Sequence, residues 1–354
     1  MFKLQMVLIL FISSVFLSVS IQAQNVSLVK NFEGIQWNGI KPPDPDIAVG
    51  PNHIVLTVNN GIQIYNKEGL QLSGATLRDW FSSLGITENP VDPKIVFNNY
   101  CDRWIVFAIT RSSALYLLSV SKTDNPMGEW YYYKFDALEK DQDGSRYPPD
   151  YTGLGYNSEA VYITSNHLND IQYTHDFQWA KIKAIKLSDL TSGVTPPKSI
   201  DFTKMLNKDQ SSAKNIKPVD YQFSSSTDYY LVNTSTTDAD FITVWKISDP
   251  FGSNASITRE TVKIGSYGPP NDAPQPGGAR LIETNDSRIS DCTYNNGFIY
   301  GCFHSKNSYN NGSAVRYFKL RVSDYYLLID DKIEQNGIYY FYPEIYPDKY
   351  GNIV

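Results

Sequence analysis

Seven acidic side chains recur just before or at the start of short apolar runs: Asp44, Asp46, Asp92, Asp150, Asp220, Asp286 and Glu344. If a fold gathers such repeated carboxylates at one mouth, they form a ring. That ring could hold Ca²⁺ through carboxylate and carbonyl oxygens, or bind a cationic or polyhydroxyl ligand. A second reading is turn chemistry, because an Asp beside Pro commonly accepts hydrogen bonds from nearby backbone N–H groups. Arg103 and Arg288 are candidate ligand-binding cations for the same mouth, and each also has an acid close by, Asp102 and Asp286, as a structural partner.

Other chemistry is sparse. The chain has no Gly-Lys-Ser/Thr phosphate loop, no Gly-x-Ser-x-Gly elbow, no His-Glu-x-x-His helix and no dinucleotide fingerprint. Its four histidines, His53, His167, His175 and His304, are scattered, and no Cys/His spacing suggests zinc. Cys292 and Cys302 flank the turn signal Asn295-Asn296-Gly297 and could face each other as a disulfide across a hairpin, with Cys101 left over. Three buried free thiols are the equal alternative. The runs Trp130-Tyr131-Tyr132-Tyr133 and Tyr339-Tyr340-Phe341-Tyr342 offer rings for sugar stacking, but core packing is the commoner use of such runs.

The elements that must carry these residues are strands. Short runs rich in Val, Ile, Tyr and Phe alternate with Gly, Asn, Asp and Pro clusters, and the best helical candidate is only Leu77 to Leu84. One pattern recurs: a short apolar strand, a polar turn, then a longer apolar strand. Anchored at Asp46, Lys94, Thr152, Tyr221, Ser290 and Glu344, its spacings are 48, 58, 69, 69 and 54 residues. Third strands follow each complete pair, at Gly61 to Tyr65, Ala114 to Val120, Ala180 to Leu187, Phe241 to Ile247 and Ala314 to Leu320, and fourth strands often follow those. Four antiparallel strands per unit, repeated radially, describe an all-β fold, a β-propeller. The count is five complete units plus the start of a sixth at Glu344-Ile345-Tyr346. The intact ring is expected to have six or seven blades, with this chain stopping inside one.

Residues 1–23 read as an export signal: Lys3 is the only charge before an apolar run from Met6 to Val19, and small Ala23 follows. The propeller is expected over 24–354. No later run is long enough for a transmembrane helix, so the expected location is secreted or cell-surface. A formal charge of −6 without any Lys/Arg block argues against nucleic acid and anionic membrane as partners.

Several segments resemble exported bacterial propeller proteins distantly similar to the sialidase and BNR-repeat superfamily. They are Pro42-Pro43-Asp44-Pro45-Asp46-Ile47-Ala48-Val49-Gly50-Pro51-Asn52-His53, Asp92-Pro93-Lys94-Ile95-Val96-Phe97 with Asp102-Arg103-Trp104, Asp286-Ser287-Arg288 leading into Tyr294-Asn295-Asn296-Gly297, and Tyr342-Pro343-Glu344-Ile345. The resemblance implies a propeller but no particular activity. Sialidase chemistry needs clustered arginines, a tyrosine nucleophile activated by a glutamate, and an acid. The arginine-bearing opening motif and the Ser-x-Asp-x-Gly-x-Thr-Trp box of that family are both missing. The expectation is therefore a non-catalytic exported propeller binding a glycan or protein ligand at its channel mouth, with no cofactor beyond a possible Ca²⁺. The alternatives are a sialidase-like glycoside hydrolase and a structural domain of a larger surface protein.

Overall fold

The computed structural model describes residues 30–37, 39–169, 176–221, 226–278, 280–348 and 350–353. The export signal expected at 1–23 lies outside them. From Glu33 onward the described residues form one compact unit.

Alternating apolar residues build the sheets one after another along the chain. The first sheet takes Asp46–Val49, His53–Val58, Gly61–Asn66 and Gln71–Ala75, and the second takes Val91–Asn98, Arg103–Thr110, Leu115–Ser121 and Trp130–Asp136. The third holds Pro149–Tyr156, Ala160–Asn169, Asp176–Lys186 and Ser199–Phe202. In the fourth, Lys217–Pro218 joins Tyr229–Thr234, Ala239–Ser248 and Ser256–Tyr267. The fifth runs through Ile289–Asn295, Phe298–Lys306, Ser313–Arg321 and Tyr326–Ile333. Within each sheet consecutive strands are antiparallel neighbours, so every unit is a meander. The fold is all-β and β-propeller-like.

Several expectations meet this structure directly. The helical candidate becomes a single turn, Leu77–Trp80, capped by the Thr76 hydroxyl, followed by a 3₁₀ turn at Ser82–Leu84. The hairpin at Asn296-Gly297 has both residues at positive φ, 49° and 85°, as a two-residue turn between right-twisted strands requires. The fourth unit departs from expectation. Its inner strand is split: Lys217–Pro218 pairs with its own sheet, while Asp220–Tyr221 lies parallel to Thr293 and Tyr294 of the fifth.

The cores lie between sheets. Ala48, Val55 and Ile64 of the first sheet pack with Ile95, Phe97 and Trp104 of the second. Ile105, Phe107 and Leu118 of the second pack with Val161, Ile163 and Ile185 of the third. A larger cluster joins sheets three to five through Tyr162, Tyr229, Tyr221 and Tyr294, whose rings stack with neighbouring centroids 3.7, 5.0 and 4.6 Å apart. Face-to-face packing of successive sheets turns the first strand of each unit toward the interior.

The segment 342–348 repeats the start of a unit. Tyr342, like Asp44, Asp92 and Tyr151, has a left-handed backbone, with φ of 53°, 45°, 51° and 46° in that order. Each stands two residues before the same strand position: Glu344, Asp46, Lys94 and Gly153. Side-chain bonds between units repeat as well. Asp46 Oδ2 accepts from Ile95 N at 2.9 Å, and Asp291 Oδ2 accepts from Ile345 N at 3.1 Å.

The expected disulfide is corrected by register. Cys292 pairs with Gly301, and Cys302 pairs with Asp291. A one-residue offset places the two side chains on opposite faces of the sheet. Cys292 accordingly belongs to the large core, whereas Cys302 packs with Tyr300 and Ile345, and both are free thiols. Burial pushes the Cys292 thiol pKa well above its ordinary value.

Candidate functional site

The left-handed residues form the upper layer of the site. An L-residue at positive φ costs about 1–2 kcal/mol, so a conformation recurring at Asp44, Asp92, Tyr151 and Tyr342 is held by its surroundings. Asn59, in the turn after His53–Val58, supplies part of that hold. Its side-chain nitrogen donates to Pro42 O at 2.9 Å and to Asp44 Oδ2 at 2.7 Å, and its side-chain oxygen accepts from Asp92 N at 2.8 Å. The turns carrying Asp44 and Asp92 are thereby tied together.

Asp92 is half-buried, and its carboxyl has no hydrogen-bond or ion-pair partner among the described residues. Burial raises its pKa first, and the charges of Asp150 and Asp44 raise it further against Lys94 and Arg111, to about 6. Asp150, from the third sheet, is held differently: Arg111 Nη1 lies 3.2 Å from its Oδ1. Two carboxyls from neighbouring sheets, near enough for the charge of Asp150 to act on Asp92, therefore have unlike environments: Asp92 has no partner and Asp150 is paired with Arg111.

A second charged layer lies two residues further along the inner strands. Asp220 is raised by burial first and then by Asp291, with Asp46 and Glu344 adding to the effect and Lys217 opposing it. Those groups come from the first, fourth and fifth units and the 342–348 segment, so the inner strands converge on common ground. Burial alone would lower the Lys217 pKa, but the charges of Asp291 and Asp220 raise it. Glu344 is exposed, while Asp220, Asp291 and Lys217 are half-buried.

On the fifth-sheet side, Asp286 and Arg288 form a two-pronged pair, with Arg288 Nε and Nη2 each 2.7 Å from a different carboxylate oxygen. Burial opposes ionisation of Asp286, but the Arg288 hydrogen bonds prevail and lower its pKa. The guanidinium also lies 4.3 Å from the centre of the Tyr151 ring. A cleft of about 510 Å³ opens here, lined by Asp272, Arg280, Leu281, Glu283, Asn285 and Asp286. His304 fastens the edge: its Nε2 accepts from Tyr342 N at 2.6 Å.

The structure thus brings Asp44, Asp92 and Asp150 together in one layer and Asp46 and Glu344 in the next, with the Asp286–Arg288 pair at the side. It separates Arg103 from them. Arg103 pairs with Asn98 at the hairpin end of the strand that begins near Asp92, and six residues of extended chain span about 20 Å. Nor does Arg103 bond the Asp102 carboxylate: its Nη1 donates to the carbonyls of Cys101 and Asp102. Asp291, Lys217 and Asn59 were not singled out from sequence. Asp291 was detectable, because it precedes Tyr294 by three residues as Asp46 precedes Val49. Among the described residues, no group of three or more His, Cys, Asp or Glu could hold a metal ion, and no helix is long and apolar enough to cross a membrane.

No family model matches the chain, and no curated protein matches it. Solved structures do. An exo-1,5-α-L-arabinanase from a bovine ruminal metagenomic library is 12% identical with a TM-score of 0.37, covering 82% of this chain and 97% of that one. A thermostable family-43 glycoside hydrolase is 15% identical with a TM-score of 0.35, covering 84% and 91%. The α-L-arabinanase of Cellvibrio cellulosa, complexed with arabinohexaose, is 14% identical with a TM-score of 0.36, covering 81% and 94%. These neighbours are glycoside hydrolases, and the expectation of a non-catalytic binding propeller is corrected accordingly. At such distance they assign no residue a role, and the site is read from its own geometry.

Proposed function

We propose that the chain is an exported glycoside hydrolase whose active site is the charged mouth where the inner strands converge. One observation carries the reading: Asp92, unpartnered and with its pKa raised to about 6, lies within the electrostatic reach of Asp150, which is paired with Arg111. Glycosidic cleavage asks for this division of labour, an acid that protonates the leaving oxygen and a carboxylate that acts as base or nucleophile. Asp92 is the acid and Asp150 its counterpart. The second layer, Asp46, Asp220, Asp291 and Glu344, supplies acceptors for sugar hydroxyls. The ring is read as six units, the sixth beginning at Tyr342.

Sialoside cleavage is the less favoured chemistry, since Arg288 is committed to Asp286 and Arg111 to Asp150. The test is release of reducing ends from arabinan, galactan, xylan and aryl glycosides. Asp92→Asn and Asp150→Asn are expected to lower the rate by about 10²-fold or more while the protein stays folded. A wild-type protein inactive on the whole panel, or an Asp92→Asn variant with undiminished turnover, removes the proposal.

A further inference from the structure

Asn59 has a role that its place in a hairpin turn does not require. Val58 pairs with Gly61, leaving Asn59 and Asn60 as the loop, and Asn60 alone takes the positive φ of 72°. Asn59 is instead buried, at 5% exposure, with its side chain turned toward two acidic turns. Its amide nitrogen reaches Pro42 O and Asp44 Oδ2, and its amide oxygen takes the Asp92 N–H. Its own N–H donates to Pro43 O at 2.8 Å, which closes the clamp. A side chain with both a donor and an acceptor at this reach is needed, and Asn provides it.

We propose that Asn59 is the positioning residue of the site: its amide fixes the Asp44 carboxylate beside Asp92, and this pairing sets how firmly Asp92 holds its proton. The inference rests on the reading of Asp92 as the acid. The charged groups acting on Asp92 are Asp150, Asp44, Lys94 and Arg111, and the Asp44 carboxylate is bonded by the Asn59 amide. Without the amide, Asp44 is free to turn toward water and the Asp92 turn loses its acceptor. Asp92 then gives up its proton more readily. A carboxylate at position 59 also gives up the bond to Asp44, but it keeps an acceptor for the Asp92 N–H and puts its own negative charge beside Asp92, so Asp92 holds its proton more firmly.

Two variants therefore move the same titration in opposite directions. In wild type, kcat/KM for a hydrolysed glycan is expected to fall as pH rises through about 6, where Asp92 would lose its proton. In Asn59→Ala that limb moves to lower pH, and in Asn59→Asp to higher pH, each by about half a unit or more. The carboxyl carbon of Asp92, followed by NMR across the same pH range, is expected to show matching shifts and needs no turnover. Variants that fold but leave both the limb and the NMR titration in place reduce Asn59 to a turn residue and overturn the inference. If wild type hydrolyses nothing, the NMR titration still decides the role of Asn59, so its failure and that of the hydrolase reading are separable.

Discussion

Two groups of charged residues treat their charges in opposite ways. Between the second and third sheets, Lys181 Nζ lies 2.6 Å from Glu139 and 3.0 Å from Asp201, and Lys183 Nζ lies 2.6 Å from the other Asp201 oxygen. Nearby, His167 places Nδ1 2.8 Å from Tyr147 O and Nε2 3.1 Å from the Ser165 hydroxyl. Every member of that group has a partner. At the mouth, Asp92 and Glu344 have none among the described residues. The first group, built on the buried Lys181, Lys183 and His167, has used its hydrogen-bonding capacity on itself and fixes structure. The mouth keeps unsatisfied carboxyls within reach of water, where a ligand could engage them.

That contrast predicts which substitutions cost stability. The largest effect is expected at Lys181: removing it in Lys181→Met leaves the half-buried Glu139 carboxylate without its cation, while Asp201, exposed and still paired with Lys183, loses one of two, at a cost of roughly 1–3 kcal/mol. Burial alone would lower the Lys181 pKa, but the Glu139 and Asp201 contacts raise it, so the ammonium belongs to the folded state. Chemical denaturation should show a loss of that order. A change under about 1 kcal/mol would mean that the network is not the closed unit described.

The next effect depends on pH. Burial is the main cause holding the His167 pKa down, at about 4. An ordinary histidine in the unfolded chain titrates near 6.5, so the unfolded state binds the proton first as pH falls. The stability contributed by neutral His167 is present above about 6.5 and is lost as pH drops through about 4, at most roughly 3 kcal/mol. His304 is lowered to about 4 in the same way and adds to the slope. Melting followed from pH 7 to pH 4 should fall less steeply in His167→Gln. An unchanged slope would place the acid sensitivity elsewhere.

Periodicity made much of this arrangement legible. The spacing of short apolar pairs located the successive sheets, and the repeated acids marked the starts of inner strands, because a radial repeat carries equivalent positions to equivalent places. What escaped were features set by contacts between units. Asn59 looked like one more turn residue, since its partners lie 15 and 33 residues away in other turns. Lys217 was hidden because the inner strand of the fourth unit is split between two sheets. Arg103 was grouped with the mouth because adjacency to Asp102 says nothing about which end of a strand it occupies. The cysteines were misjudged through a single residue of register.

The smallest effect sharpens the contrast from the other side. An unpartnered carboxyl whose pKa is raised in the folded state opposes folding once it ionises. For Asp92 the sign follows from its two pKa values, about 3.8 unfolded and about 6 folded. Below the first, both states carry the proton and the group is neutral to stability. Between them the folded state alone stays protonated, and above about 6 the penalty is complete. Asp92→Asn, which cannot ionise, should therefore melt slightly above wild type at pH 8, by a few degrees at most, and level with it at pH 3.5. That would make it the reverse of Lys181→Met: a gain in stability with a loss of turnover, the exchange expected where a fold keeps a strained group for chemistry. A drop in melting temperature at pH 8 would instead show that Asp92 is bonded in the folded state, and would place the mouth with the buried network.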